Sequence, residues 1–209
     1  MKLYYTPGSP FARMIRVLLR ELAIECAEVK ITEFPPPRSY FDVNPLGQVP
    51  AIEAADGVRF PTRIIIDYLI GQPRRDELPV ARSVQRNPEY WQDDRLLTVL
   101  LGMGDALVAM KVQGWAGLGP VAENLLDYDP AERHAERVQH TLDWLESIAE
   151  PGGFLPDILS VQDIAFACII LWTGARGGIP WRGRPKLEGI VGACAVRPSF
   201  RATEPQPWP

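Results

Sequence analysis

Cysteine and histidine are scarce in this chain of 209 residues, which has three cysteines and two histidines. Cys26, Cys168 and Cys194 are far apart and odd in number, and no Cys-x-x-Cys pair or other metal-binding spacing occurs. This usage is typical of a reducing compartment and argues against a disulfide framework. His134 and His140 do not share a helical face, as metal ligands at positions i and i+4 would. We therefore expect no metal site.

The chain also lacks a surplus of positive charge and a long apolar run. Its net charge is −4, and the short basic clusters at 74–75 and 182–184 lie among Pro and Gly residues. They are typical of solvated loops, so we expect no nucleic-acid partner. The longest apolar run, Ile164–Trp172, is far shorter than the ~20 residues of a membrane span. Met1-Lys2 does not begin a signal peptide pattern, so we expect a cytoplasmic protein without membrane contact.

The first part of the chain alternates between strand and helix patterns. Leu3-Tyr4-Tyr5 predicts a short strand, and Pro10 opens a helix whose apolar residues recur three and four positions apart as far as Leu22. Ala27–Ile31 predicts a second strand. A strand, a helix and a strand in this order indicate a parallel pair with a right-handed crossover.

A hairpin and a second helix complete this region. Val49–Glu53 and Val58–Phe60 are predicted as antiparallel strands, because Asp56-Gly57 between them is a strong hairpin turn. The next helix is predicted to end at Gly71. Its expected apolar face consists of Ile64, Ile65, Tyr68 and Leu69.

Strand patterns vanish in the rest of the chain. The segment 73–85 is rich in Pro and in charges of both signs, so it predicts a linker between a first domain at 1–72 and an all-helical domain at 86–209. A long helix is predicted from Trp91 to Met110, and a second begins at Pro130.

Two further helices are predicted toward the end of the sequence. Ser160-Val161-Gln162-Asp163 resembles a capping box, and the helix that it starts is apolar nearly all round. Such a helix is expected at the buried centre of its domain. Pro185–Val196 predicts a last helix, and we expect the Pro-rich tail from Arg197 to pack on the surface.

The most informative motif is Asn44-Pro45-Leu46-Gly47-Gln48-Val49-Pro50, which precedes a predicted strand and lies downstream of Ser9-Pro10-Phe11. With the stretches 2–19, 44–69, 159–172 and 197–205, it gives the chain a resemblance to cytosolic glutathione S-transferases along its whole length, nearest to bacterial members with Ser-Pro-Phe near the N-terminus. The resemblance implies a thioredoxin-like N-terminal domain and a C-terminal helical bundle. It also implies glutathione as co-substrate and a homodimer.

Ser9 is the residue to which the resemblance assigns the catalytic role. It lies where a strand meets a helix, and free backbone N–H groups and the helix dipole favour an anion there. A hydroxyl that donates to sulfur would lower the thiol pKa of glutathione by about one to two units. The alternative is that Ser9 serves only as an N-cap. Tyr5 and Thr6 are alternative hydroxyls, and Arg13 either supports negative charge near the sulfur, faces solvent or forms a structural ion pair.

Five residues are implied for glutathione binding: Gln48, Val49, Pro50, Pro61 and Thr62. The resemblance implies a cis Val49–Pro50 bond, with Val49 pairing its backbone with the cysteinyl part of the peptide and Gln48 reaching the glycyl end. Thr62 offers a hydroxyl and a helix N-terminal N–H to the γ-glutamyl carboxylate. Pro61 departs from the family pattern, because an acidic residue or Gln usually precedes the hydroxyl residue. We therefore expect glutathione to bind roughly tenfold more weakly.

The implied activity is conjugation of glutathione to an apolar electrophile, whose pocket we expect to include Phe11, Met103, Met110 and Trp115. A non-catalytic protein of the same fold that binds ligands or other proteins is the alternative, which Pro61 favours. Thiol–disulfide exchange is a third possibility, but it needs a cysteine nucleophile where Ser9 stands.

Overall fold

The computed structural model describes residues 1–71, 90–115, 129–155 and 158–205, with only the backbone described at 90, 91 and 115. Four strands form one mixed sheet: β1 (Lys2–Tyr5), β2 (Ala27–Lys30), β3 (Ala51–Ala54) and β4 (Gly57–Arg59). The strand order is β2-β1-β3-β4, with β1 parallel to β2 and the other pairs antiparallel. The predicted sheet is thus confirmed, whereas the predicted linker at 73–85 lies outside the described residues.

Two helices accompany this sheet, and α1 (Pro10–Glu21) follows β1 while α2 (Thr62–Ile70) follows β4. A 3-10 helix, Arg38–Asp42, precedes β3. A hydrophobic core joins both helices to the sheet. Its fully buried side chains here include those of Leu3, Ile15, Ile52, Ile65 and Leu69. This arrangement is the thioredoxin-like domain that the sequence predicts.

One face of α2 differs from the prediction. Ile64 is 48% exposed, whereas Ile66 is 2% exposed and belongs to the core. A helix of only nine residues offers two overlapping apolar faces, and the packing against α1 and β3 selects the face with Ile65, Ile66 and Leu69.

From residue 90 onward the described chain contains helices and an isolated β-bridge between Glu150 and Gly153, but no strand. The helices are α3 (Tyr90–Trp115), α4 (Pro130–Ile148), α5 (Val161–Gly174), α6 (Pro185–Ala195) and α7 (Pro198–Arg201). The first domain therefore precedes a helical bundle, as predicted. By length and composition Gln92–Gly114 could cross a membrane, but here Leu97, Leu100 and Leu107 of this helix are buried in the bundle core.

The central helix of the bundle is α5, which packs against α1, α3 and α6. Its predicted capping box is confirmed: the Ser160 hydroxyl accepts from the Asp163 N–H at 3.1 Å, and the Asp163 carboxylate accepts from the Ser160 N–H at 2.8 Å. The same carboxylate accepts from the Phe154 N–H at 2.9 Å. The box therefore also anchors the loop that leads into α5.

Three residues of the described tail are buried, so the prediction that the tail from Arg197 packs on the surface is wrong for Ser199, Phe200 and Thr203, while residues 206–209 lie outside the described residues. Phe200 is 1% exposed and Thr203 is 2% exposed. The Arg197 guanidinium donates to both carboxylate oxygens of Glu21, at 2.8 and 2.7 Å, and the Ser199 hydroxyl donates to the same carboxylate. Burial raises the pKa of Glu21, but these hydrogen bonds outweigh it and leave the pKa below its usual value.

Candidate functional site

Ser9 is the N-cap of α1. Its hydroxyl oxygen accepts from the Ala12 N–H at 3.1 Å, and its own N–H donates to the Thr6 carbonyl at 3.1 Å. Pro10 follows at the first helical position, where its missing N–H costs nothing. Capping uses the oxygen as an acceptor only, so the hydroxyl proton remains available to a ligand.

The start of β3 lies beside the loop that carries Ser9. Tyr4 of β1 pairs with Ala51 of β3 in an antiparallel register. Continuing this register by two residues places Val49 opposite Thr6, at a spacing of about 5 Å between neighbouring strands. The topology therefore brings the Asn-Pro-Leu-Gly-Gln-Val-Pro turn and the N-terminus of α1 to the same edge of the sheet.

The turn before β3 has a cis bond between Val49 and Pro50, as predicted. The Gln48 carbonyl accepts from the Tyr40 hydroxyl at 2.9 Å and from the Asn44 side-chain amide at 2.6 Å. These bonds orient the peptide between Gln48 and Val49. Within the described residues neither the N–H nor the C=O of Val49 has a hydrogen-bond partner, so both can pair with an extended peptide.

Tyr40 supports this turn from the inside of the domain. Its side chain is 4% exposed, and its ring lies 5.8 Å from that of Tyr4. Burial raises the pKa of Tyr40 to about 12. The hydroxyl therefore stays protonated near neutral pH and keeps its bond to Gln48.

The N-terminus of α2 reaches the same edge. Arg59 of β4 pairs with Ile52, and continuing that register places Pro61 beside the start of β3. Pro61 is the N-cap of α2 and makes no side-chain cap bond. In the described chain the N–H groups of Thr62 and Arg63 have no hydrogen-bond partner, which leaves two donors at the positive end of the helix for an anion.

Tyr5 and Thr6, the alternative hydroxyl residues, are both engaged in contacts within the fold. The Arg16 guanidinium lies 4.4 Å from the centre of the Tyr5 ring, so this side chain packs as a strand aromatic. Thr6 is 6% exposed, and its carbonyl accepts from Ser9. Ser9 is therefore the more accessible hydroxyl of the loop.

Arg13 does not face solvent, so that predicted role is wrong, and within the described residues it forms no ion pair. Its side chain is 4% exposed, and Nη2 donates to the Phe200 carbonyl at 3.2 Å. The guanidinium lies 5.4 Å from the centre of the Phe200 ring. Burial lowers the pKa of Arg13. Its third predicted role, support of charge near a sulfur, stays a prediction.

The predicted pocket of Phe11, Met103, Met110 and Trp115 stays a prediction, because the Trp115 side chain lies outside the described residues. Phe11 packs toward Gly104 of α3, where an added Cβ would come within 3.0 Å of its ring. Met103 is 3% exposed and lines a cavity of about 330 Å³ between α3 and α4. Met110 is partly buried. The cavity is lined by Thr98, Val99, Gly102, Met103, Ala106, Arg137, Val138 and Thr141.

Two residues near the site were missed by sequence analysis, namely Tyr40 and Trp172. The indole N–H of Trp172 donates to the Gly8 carbonyl at 2.7 Å. Tyr40 stands four positions before Asn44, in a segment with no regular pattern, and Trp172 lies inside a run of apolar residues. Neither position carries a sequence signal that sets it apart from ordinary core. The residues that the structure describes contain no cluster of His, Cys, Asp or Glu that could hold a metal ion.

Comparison with known proteins agrees with this arrangement. Residues 3–77 match the model of the glutathione S-transferase N-terminal domain. The chain is 28% identical to the uncharacterized GST-like protein YibF of Escherichia coli (strain K12), over 98% of both chains. It is 27% identical to glutathione S-transferase 3 of Zea mays, over 97% of this chain and 92% of that protein.

Solved structures extend the likeness to the whole fold. A glutathione S-transferase of Methylobacillus flagellatus KT with glutathione bound superposes with a TM-score of 0.81 and 26% identity, over 98% of this chain and 99% of that one. The N-terminal domain match, the full-length relatives and this shared two-domain fold lead to one conclusion: the chain is similar to glutathione S-transferases along its whole length, and its residues 3–77 match the N-terminal domain of that family.

Proposed function

We propose that this protein is a glutathione transferase that conjugates the thiolate of glutathione to an apolar electrophile. The observation that carries the proposal is the convergence of three sets of unpaired hydrogen-bonding groups at one edge of the sheet. These are the Ser9 hydroxyl, the backbone of Val49 and the N-terminus of α2 at Thr62. They match the thiol, the cysteinyl backbone and the γ-glutamyl carboxylate of an extended glutathione in that order.

In this mechanism the Ser9 hydroxyl donates a hydrogen bond to the sulfur of bound glutathione, and the thiol proton is released to solvent. The dipole of α1 adds positive potential at the same point. Both effects favour the thiolate over the thiol, so a larger fraction is reactive at neutral pH. The thiolate attacks the electrophilic carbon, a carbon–sulfur bond forms, and the leaving group departs with the electron pair of the broken bond.

The binding residues divide the tripeptide among them. Val49 pairs its N–H and C=O with the cysteinyl residue, as in an added β-strand. Gln48 is exposed next to it, and in this proposal its side-chain amide donates to the glycyl carboxylate. Thr62 and the free N–H groups of α2 hold the γ-glutamyl carboxylate. Pro50 fixes the direction of the turn, and Pro61 contributes no polar contact to the ammonium group.

Pro61 supports a second candidate function, a non-catalytic protein of this family that binds other ligands or a protein partner. A missing contact to the ammonium group weakens glutathione binding, by roughly tenfold if it is worth about 1–2 kcal/mol. A binding module without turnover would tolerate this loss.

The third possibility, thiol–disulfide exchange, has no support among the cysteines. Cys26 precedes β2 rather than α1, and burial raises its pKa. Cys168 and Cys194 are buried, and burial raises the pKa of Cys168 to about 12. A nucleophilic thiol needs a lowered pKa and access to its substrate.

We also propose a cytoplasmic homodimer that acts in detoxification. The family resemblance and the reduced cysteines of the described chain support this part of the proposal. We expect an acceptor pocket that includes Phe11, Met103, Met110 and Trp115, next to the Ser9 loop. Sedimentation at micromolar concentration should give twice the mass of the chain, and a monomer at that concentration would contradict the dimer.

The proposed activity is tested by titration of the thiolate of bound glutathione through its ultraviolet absorbance. We expect the pKa of bound glutathione to lie one to two units below that of the free thiol, about 8.5. An activated aryl chloride should be conjugated with a rate that follows this titration. A thiolate that forms without turnover of any aryl chloride would favour the non-catalytic candidate. No binding at millimolar glutathione would contradict both.

A further inference from the structure

The loop that carries Ser9 is bonded to the helical domain through one side chain. Trp172 lies in the last turn of α5 and is 2% exposed. Its indole N–H donates to the Gly8 carbonyl at 2.7 Å, across 164 positions of sequence. A buried indole N–H needs an acceptor, but here the acceptor is the peptide group directly before Ser9 rather than a neighbouring turn of the bundle.

The peptide between Gly8 and Ser9 is therefore held from both of its sides. Its carbonyl accepts from Trp172, and its N–H, which belongs to Ser9, donates to the Thr6 carbonyl at 3.1 Å. The plane of this peptide sets the backbone angles on either side of it and so the direction of the Ser9 side chain. Gly8 has no side chain of its own to limit these angles. The bond from Trp172 is thus a restraint that the loop itself cannot provide.

The indole is itself well supported. The Arg176 guanidinium lies 5.3 Å from the centre of the Trp172 ring, one helical turn further along. One turn before it, Ile169 packs with Phe11 of α1 around Gly104. The donor is thus fixed relative to α1, and any rotation of the Gly8 carbonyl would leave a buried N–H without an acceptor, which is costly.

We propose that Trp172 is a positioning residue for the reaction: through the Gly8 carbonyl it holds the Ser9 hydroxyl in the direction of the glutathione sulfur. This inference rests on the proposed function. It means that the helical domain, in addition to shaping an acceptor pocket, sets the geometry of the thiol site in the other domain. Trp172 touches neither the sulfur nor the electrophile and acts only through Ser9.

The test is the variant Trp172→Phe, which keeps an apolar ring and removes the N–H. We expect the pKa of bound glutathione to rise by about half to one unit, and conjugation below that pKa to slow about 3- to 10-fold, the effect of one hydrogen bond. The KM for glutathione should change less than twofold, because Val49 and Thr62 are untouched. Trp144→Phe on α4 is the matched control, and its thiolate titration should equal that of the wild type.

A double-mutant cycle with Ser9→Ala separates positioning from general loosening. If Trp172 acts through Ser9, the change Trp172→Phe should have almost no further effect on the thiolate titration in the Ser9→Ala background. An equal effect in both backgrounds would overturn the proposal, and so would an unchanged titration in a folded Trp172→Phe protein. Should Trp172→Phe fail to fold, Trp172→Leu, which also has no donor, is measured in the same way with the same criteria.

The wild-type titration distinguishes this proposal from the one on which it rests. If the wild type shows no lowered thiol pKa, the proposed function fails and the positioning role fails with it. If the wild type shows a lowered pKa that Trp172→Phe retains, only the positioning role is wrong.

Discussion

The two ends of helix α1 have opposite surroundings. At its N-terminus Ser9 caps the helix and keeps a free hydroxyl proton beside exposed backbone donors. At its C-terminus Glu21 is 3% exposed, and its carboxylate accepts hydrogen bonds from Arg197 and Ser199. One end is open to a ligand and the other is closed by the chain's own tail. A single helix can thus serve activity at one end and stability at the other, because its two ends are about 17 Å apart.

The largest effect is expected at the closed end, with Glu21→Ala. It leaves Arg197 and Ser199 without their acceptor in a mostly buried site, and we expect a loss of about 3 kcal/mol in the free energy of unfolding. Denaturant melts check this value, and Glu25→Ala, an exposed position just after the helix, is the control. In Glu21→Ala the thiolate titration of bound glutathione should stay unchanged, because the substitution lies at the opposite end of α1 from Ser9. A loss below 1 kcal/mol would mean that the closed end is not a stabilising contact.

Ser9→Ala at the open end is expected to show the reverse pattern. The pKa of bound glutathione should rise by about one to two units, so conjugation at neutral pH should slow about 10- to 100-fold. The lost cap should cost only about 1 kcal/mol of stability. Thiolate absorbance against pH measures the first effect and a denaturant melt the second. The control Ser147→Ala removes an exposed hydroxyl on α4. It should change neither the pKa of bound glutathione nor the stability of the protein. An unchanged titration in Ser9→Ala would assign the role to Tyr5, Thr6 or backbone amides.

The N-terminus of α2 is a third helix end to compare. It is open to a ligand, but its N-cap residue, Pro61, has no acidic side chain for the ammonium group of glutathione. Pro61→Glu adds a carboxylate for the γ-glutamyl ammonium, and a carboxylate in that place suits the helix dipole. We expect glutathione to bind more tightly by up to about tenfold in calorimetric titration. Ile64→Glu places the same charge on the exposed face of the same turn and should leave the affinity unchanged. Equal affinities of Pro61→Glu and wild type would mean that another residue already holds the ammonium or that glutathione does not use this site.

The smallest effect separates charge from packing at the closed end. The folded pKa of Glu21 lies below its usual value, so its ionised form contributes stability above the unfolded pKa of about 4.3. That contribution is lost as the pH falls through the folded pKa. Glu21→Gln should therefore be about 1 kcal/mol less stable than wild type at pH 7, since Arg197 is partly exposed to solvent. The difference should disappear well below pH 4. Unfolding curves at several pH values measure it, and a difference independent of pH would point to packing.

Local signals predicted much of the fold and part of the site. The Asp56-Gly57 hairpin, the Ser160–Asp163 capping box and the cis bond before Pro50 are all confirmed. The hairpin and the capping box each depend on a few adjacent residues whose chemistry restricts the backbone directly, whereas the cis bond follows from the family resemblance of the motif around Pro50. Ser9 at the start of α1 also follows from a local signal, because a hydroxyl before Pro at a strand-to-helix junction is a recognisable cap.

The errors concern contacts between distant parts of the chain. The sequence around Arg13 is typical of a surface position on its own helix, but the side chain is buried, and it donates to the carbonyl of the distant residue Phe200. The sequence of the tail is polar and rich in Pro, which indicates a surface position. Its Ser199 hydroxyl nevertheless donates to Glu21 of α1. Trp172 lies in an apolar run, and no local pattern distinguishes it from the other core residues of its helix. Periodicity along one element cannot reveal which distant segment covers it, because that depends on how the two domains dock.

The contacts of the tail with α1 have a consequence for synthesis on the ribosome. Arg13 and Glu21 are among the first residues to be made, yet their partners lie 176 to 187 positions later in the chain. Long-range contacts of this kind form late, so α1 emerges with an unpaired cation and an unpaired carboxylate on faces that remain exposed until translation is nearly complete. A ribosome-bound chain that stops before residue 197 should therefore be cleaved readily by a protease around α1, whereas the released full-length protein should resist cleavage there.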